Sequence, residues 1–158
     1  MKKALFILPA LMLTIATSAQ SPDNGPVPQA VTRDFASRYP AITPKKWKQD
    51  KEGQYIAQFH MRGNPSEAYY DRGGNWLKTQ SHIKWTKNLP PAVRTALRNS
   101  TYASWYVEHM QETDSDDHKR FYIDVSYVDN YMEGAGSKDI YRLTFTPEGQ
   151  LLQSEQIH

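Results

Sequence analysis

The chain has no cysteine. That excludes disulfides, thiolate metal sites and lipid attachment through a thiol, so burial alone has to hold the fold. It also lacks a Gly-x-Ser-x-Gly elbow and a glycine-rich loop between a strand and a helix, which removes the familiar nucleophile and phosphate-cradle architectures. The five histidines, His60, His82, His109, His118 and His158, include no His-x-x-His or His-x-x-x-His pair. Without that spacing they read as scattered surface or sheet residues. Asp114, Asp116, Asp117 and His118 begin like a calcium loop, but the glycine and closing glutamate of an EF-hand are missing. Asp124 and Asp129 stand at an odd offset along a strand, hence on opposite faces, and read as ordinary surface carboxylates. No catalytic residue, metal site or cofactor is predicted.

Net charge is scarce as well. Residues 1–19 open with Lys2 and Lys3, continue in an apolar run and end in small residues, the form of a secretory signal cut after Ala19. The run is short for a membrane anchor and carries Pro9. Losing these residues removes two of the 19 Lys and Arg and none of the 17 Asp and Glu, which leaves the remainder formally neutral. A neutral chain has little long-range attraction for phosphate backbones or anionic lipid, so neither nucleic acid nor, after cleavage, a membrane is an expected partner. A periplasmic or secreted location is expected. Residues 20–26, rich in Ser, Pro, Asp and Gly, read as a flexible leader.

What the chain does have is self-similarity. Val27-Pro28-Gln29-Ala30-Val31-Thr32-Arg33-Asp34-Phe35 returns as Leu89-Pro90-Pro91-Ala92-Val93-Arg94-Thr95-Ala96-Leu97, proline for proline and apolar for apolar. Tyr55-Ile56-Ala57-Gln58-Phe59 is echoed by Tyr122-Ile123-Asp124-Val125-Ser126, and the segment from Asp71 through Gly74 to Leu77 by that from Thr146 through Gly149 to Leu152. Two related units follow, 27–86 and 87–158, forming one domain or two closely packed ones.

Each unit opens with a short amphipathic helix. Val27, Val31, Phe35 and Tyr39 fall four apart, and Pro40 ends the run; Leu89, Val93 and Leu97 repeat the stripe. Alternation then predicts four strands per unit. In the first, Tyr55, Ala57, Phe59 and Met61 alternate with Ile56, Gln58 and His60, and a glycine hairpin at 71–75 leads into 76–83; in the second, Phe121, Ile123, Val125 and Tyr127 share one side. Residues 112–120 and 129–139 are read as loops longer than their counterparts, either solvated slack or the place where one copy acquires its own function. The fold class is α+β, a tandem repeat of a helix and a four-stranded antiparallel sheet.

One short helix covers one side of a four-stranded sheet and leaves the other open. The open side is predicted to carry Gln58, His60, Glu67, Tyr69, Tyr122, Asp124, Ser126, Arg142 and Thr144. Ten Tyr, four Trp and five Phe make the chain rich in rings, which either fill a core poor in Leu and Ile or serve as contact anchors. The candidate binding residues are Tyr69, Tyr122, Trp76, Trp105, Asp124 and Arg142.

The order of these features resembles the PepSY-like family of exported bacterial proteins, described as beta-lactamase-inhibitor-like. The resemblance runs through a leader, a Val-Pro-x-Ala-Val helix, Tyr-Pro, Trp47, the Tyr55-x-Ala57-x-Phe59 strand, an Asp-x-x-Gly hairpin and then Leu89-Pro90. It spans about residues 27–157 and implies a tandem helix-plus-sheet fold with a concave, aromatic-rich surface; it implies no catalytic residue. The inhibitor's disulfides have no counterpart here. The expected function is a noncatalytic module that binds a protein or peptide, inhibiting or escorting a periplasmic hydrolase. The alternative is a small-ligand or cation sensor of an envelope stress pathway that uses the 112–120 loop.

Overall fold

The computed structural model describes residues 26–128 and 138–157. The signal, most of the leader, Tyr131 and most of the 129–139 loop lie outside the described residues. The first unit consists of α1 (Gln29–Arg38), β1 (Lys46–Gln49), β2 (Tyr55–Met61), β3 (Asn64–Tyr70) and β4 (Trp76–His82). A 3-10 turn (Thr86–Asn88) leads to α2 (Pro91–Arg98), β5 (Tyr106–Ser115), β6 (Lys119–Val128), β7 (Lys138–Phe145) and β8 (Leu151–Gln156). Helix plus four strands occurs twice. The strands form one antiparallel eight-stranded sheet in chain order, and the two halves join where β4 pairs with β5.

Both helices lie on one side. Val31 and Phe35 of α1 are buried against Ala57 and Phe59 of β2 and Ala68 and Tyr70 of β3. The cross-strand pair Ala57 and Ala68 keeps the sheet low beneath the helix, and Phe35 meets Phe59 and Trp47 edge-on at 5.1 and 5.6 Å. Val93 and Leu97 of α2 pack instead on Met110, Phe121, Ile123, Val125, Leu143 and Phe145. Among the described residues, no helix is long and apolar enough to cross a membrane.

The duplication reaches into the turns. In the β3–β4 hairpin Asp71 Oδ1 accepts from Asn75 N–H, and Gly74 N–H donates to the Asp71 carbonyl. In the β7–β8 hairpin Thr146 Oγ1 accepts from Gln150 N–H, and Gly149 N–H donates to the Thr146 carbonyl. Both glycines have positive φ, +92° and +87°. A Cβ on Gly74 would stand 3.0 Å from the Ala30 Cβ, and one on Gly149 would stand 2.6 Å from the Ala92 carbonyl oxygen. Ala30 and Ala92 are equivalent in the helix repeat, so each unit seats its last hairpin on the first turn of its own helix.

Two sequence expectations are corrected. Residues 112–120 are not a loop: β5 runs to Ser115 and β6 starts at Lys119, a long hairpin with only 116–118 at its tip. Its charges sit on a pleated ladder, where Lys119 Nζ reaches Glu112 at 3.0 Å and Asp114 at 3.1 Å. The echo of Tyr55–Phe59 in residues 122–126 is also displaced by one. Tyr55, Ala57 and Phe59 face the helix, whereas on β6 it is Phe121, Ile123 and Val125 that do so, and in a strand a slip of one residue changes the face.

Candidate functional site

Strand registers assign residues to the side of the sheet away from the helices, the open face, on which Asp124 and Ser126 are nonetheless buried. One row across it reads Gln58, Glu67, Gln80, Thr113 and Arg120; the next reads His82, Gln111, Tyr122, Thr144 and Gln153; a third reads His109, Asp124, Arg142 and Glu155. These positions are mostly polar. Alternation put them there, since the same strands send Ala68, Thr79, Glu112, Ile123 and Leu143 to the helix side.

Two shallow hollows lie side by side on this face. One, of about 440 Å³, is bordered by Lys78, Gln80, Gln111, Thr113, Tyr122 and Arg142. The other, of about 400 Å³, is bordered by His60, Pro65, Glu67, Gln80, His82 and Gln111. Gln80 and Gln111 belong to both, so the hollows meet where β4 pairs with β5, at the join between the two units.

Asp124 and Arg142 are directly paired. The guanidinium donates from Nε to Oδ1 and from Nη2 to Oδ2, each at 2.8 Å, and the bond to Asp124 holds the Arg142 pKa above its ordinary value. Asp124 is 7% exposed, so it is a buried, satisfied carboxylate and not the surface carboxylate its sequence context suggested. His109 Nδ1 lies 3.9 Å from Asp124 Oδ2, and the His109 ring stands 4.9 Å from that of His82. Burial, His109 and Lys84 together pull the His82 pKa down. Next to Asp124, Ser126 is fully buried and donates to Glu108.

Tyr69 donates to Glu67 Oε2 at 2.7 Å, and Lys78 Nζ sits 4.8 Å from the centre of its ring. Burial raises and the hydrogen bonds from Gln58 and Tyr69 lower the Glu67 pKa; the donors, with the charge of Lys48, win and leave it depressed. Tyr69 and Tyr122 share the open face but lie three strands across and four residues along from each other, about 20 Å at ordinary strand spacing and rise.

Trp76 and Trp105 stand on the other side. Trp76 packs against the first core, donates from Nε1 to Thr79 Oγ1 at 3.0 Å and lies under Arg38, whose Cζ is 4.2 Å from the ring centre. Trp105 packs against the second core among Tyr102, Tyr127 and Tyr141, at 5.0 to 5.5 Å. The aromatic clusters therefore belong chiefly to the helix side, while the open face is a polar surface with a few tyrosines. Sequence reasoning missed the His82 and His109 pair, Lys78, and the junction at Gln80 and Gln111. The alternation of β4 and β5 would have placed each residue on this face, but the pairing depends on a register between strands separated by a helix. Among the described residues, no group of three or more His, Cys, Asp or Glu is arranged to hold a metal ion.

No family model and no curated protein matches the chain. Solved structures do. A BLIP-like protein from Bacteroides fragilis is 27% identical, with a TM-score of 0.70 over 85% of this chain and 89% of that one. A DUF2874 family protein from Bacteroides ovatus is 24% identical, with a TM-score of 0.68 over 85% of this chain and 90% of its own. A Bacteroides eggerthii protein described as periplasmic is 24% identical, with a TM-score of 0.64 over 84% and 91%. These neighbours share the fold of this chain. Their fold is the one implied by the resemblance of the sequence to the PepSY-like, beta-lactamase-inhibitor-like exported proteins.

Proposed function

We propose that the chain is an exported noncatalytic module that docks its uncovered sheet face onto a protein or peptide in the periplasm, inhibiting or escorting a hydrolase by covering its surface. The observation that carries this reading is the sheet itself. Eight strands have both helices on one side, and the other side holds two adjoining hollows of about 440 and 400 Å³. A protein surface needs breadth more than depth, and a face of this kind suits a partner's protruding segment.

In this reading Tyr69 and Tyr122 supply contact area, and the Asp124 and Arg142 pair fixes register by holding its remaining N–H groups in one direction. Trp76 and Trp105 support the face from behind. The B. fragilis neighbour is described as BLIP-like, which favours an inhibitory partner relationship over an enzymatic one.

The test is a photo-crosslinking residue at position 122, with one at the exposed α1 residue Arg33 as control, in cells of the native host. Adducts to a defined exported protein from position 122 alone are expected. They should disappear in the Tyr69→Ala background, while circular dichroism stays unchanged. Equal labelling from both positions, or none from 122, overturns the reading.

A further inference from the structure

The acids at the hairpin end of β5 lie on one face of the sheet. On β5 the acids Glu112 and Asp114 point to the helix side, where Lys119 ties them, while Gln111, Thr113 and Ser115 point to the open side. None of the residues bordering the larger hollow carries a carboxylate, and Lys78, Arg142, His109 and His118 all reach it. The remaining polar groups there, from Gln80, Gln111, Thr113, Ser115 and Tyr122, can all donate hydrogen bonds.

The nearest acids are already engaged. Asp124 is held by both arms of Arg142, Glu155 beside Arg142 accepts from Gln153, and Glu67, the carboxylate of the neighbouring hollow, accepts from Gln58 and Tyr69. Lys78 has the Tyr69 ring beneath it, and among the described residues no ion pair places a carboxylate on it. The hollow is thus a donor-lined recess with no carboxylate on its border, where Arg142 is neutralised by Asp124 and Lys78 supplies the positive charge.

We propose that this recess receives an acidic segment of a protein partner, a loop that places an Asp or Glu side chain beside Lys78. The proposal rests on the reading of the open face as the docking surface and names the chemistry of the occupant. The carboxylate would take hydrogen bonds from Gln80, Gln111 or Tyr122 and the charge of Lys78, which an uncharged or basic loop could not use. Glu112 and Asp114 lie on the opposite side, and the open-face acids Glu67, Asp124 and Glu155 each already accept hydrogen bonds, which limits competition from the protein's own carboxylates.

Two decapeptides of alternating Glu and Ala, or Lys and Ala, serve as probes in an NMR titration of the full mature chain. The Glu peptide is expected to shift the amides of Gln80, Gln111, Thr113 and Tyr122, and to bind more weakly as salt rises through the range where exposed charges are screened. Lys78→Glu should weaken that binding by roughly fivefold or more, with the thermal midpoint unchanged because the side chain is on an open surface. Lys78→Gln should give an intermediate loss. Equal shifts with the Lys peptide, shifts confined to the helix side, or Lys78→Glu binding like the unaltered chain overturn the proposal. Crosslinking from position 122 distinguishes the two levels. If the partner is still captured there by Lys78→Glu at undiminished yield, the acidic-segment inference falls and the docking face stands.

Discussion

Adjacent rows on the two faces of the sheet carry different chemistry. On the helix side Phe59, Ser66, Ser81, Glu112, Phe121 and Phe145 follow one another across six strands, apolar at both ends and polar in the middle. One residue further along, on the open side, Gln58, Glu67, Gln80, Thr113 and Arg120 include no apolar member. The helix side therefore has two cores, one beneath each helix, with a polar seam between them where Tyr39 and Thr79 hydrogen-bond and Lys119 gathers Glu112 and Asp114. The open face is continuous across the same seam. Duplication built a helix-covered core twice and left one open face common to both units.

The comparison is most sharply broken at neighbouring residues on β6. Phe121 is 2% exposed beneath α2, and Phe121→Ala is expected to cost about 3–5 kcal/mol in urea unfolding. Tyr122→Ala, one residue on and facing the other way, should cost under about 1 kcal/mol while abolishing partner capture. If the two variants were equally destabilised, the two-faced description would fail. Removal of Arg142 comes next. Arg142→Ala leaves the buried Asp124 without either of its guanidinium donors, and a loss of about 1–3 kcal/mol is expected, recovered only in part by Lys because a point charge cannot replace the two-pronged bond.

The hairpins sharpen the comparison between docked and free turns. At Gly149 both φ and the Ala92 carbonyl oppose a side chain, so Gly149→Ala should cost about 1–3 kcal/mol. Gly63, at φ +77° with nothing within 4 Å of the added Cβ, should lose only about 1 kcal/mol on the same change. Equal losses at both sites would mean that the contact with α2 is unimportant.

The smallest expected effect depends on pH. Because burial, His109 and Lys84 depress the folded pKa of His82, the unfolded chain takes up a proton at His82 before the folded one does. Stability from this residue is unaffected above the ordinary histidine range and falls as pH drops through that range toward the folded pKa. Melting curves between pH 8 and pH 5 should show a slope that His82→Gln reduces. An unchanged slope would remove His82 from the account.

Legibility differed from element to element. The period-four stripe of Val31 and Phe35, and its copy in Val93 and Leu97, identified both helices because a helix face depends on spacing within one segment. The outward set Gln58, Glu67, Tyr69, Tyr122, Asp124 and Arg142 followed from strand alternation in the same way. Misreading residues 112–120 as a loop came from treating charge as solvation, where a long hairpin had charges on both of its faces. The displaced echo on β6 shows the cost of aligning by ring identity, since Tyr55 and Tyr122 match as letters and oppose as directions. The pairs His82 with His109 and Asp124 with Arg142 had no signal in spacing.

By itself the sequence determined two helices, the alternation along each regular strand and the chemistry of the two equivalent hairpins, because all of these arise from interactions within about a dozen residues. Tertiary structure decided that the two units share one sheet, that Trp76 and Trp105 pack on its helix side, and that hydrogen-bond donors of both units meet in one recess. Those outcomes depend on which strands pair, and at what register, across a helix and a turn. That choice is set by where α2 can bury Val93 and Leu97, and so by the packing of the whole chain.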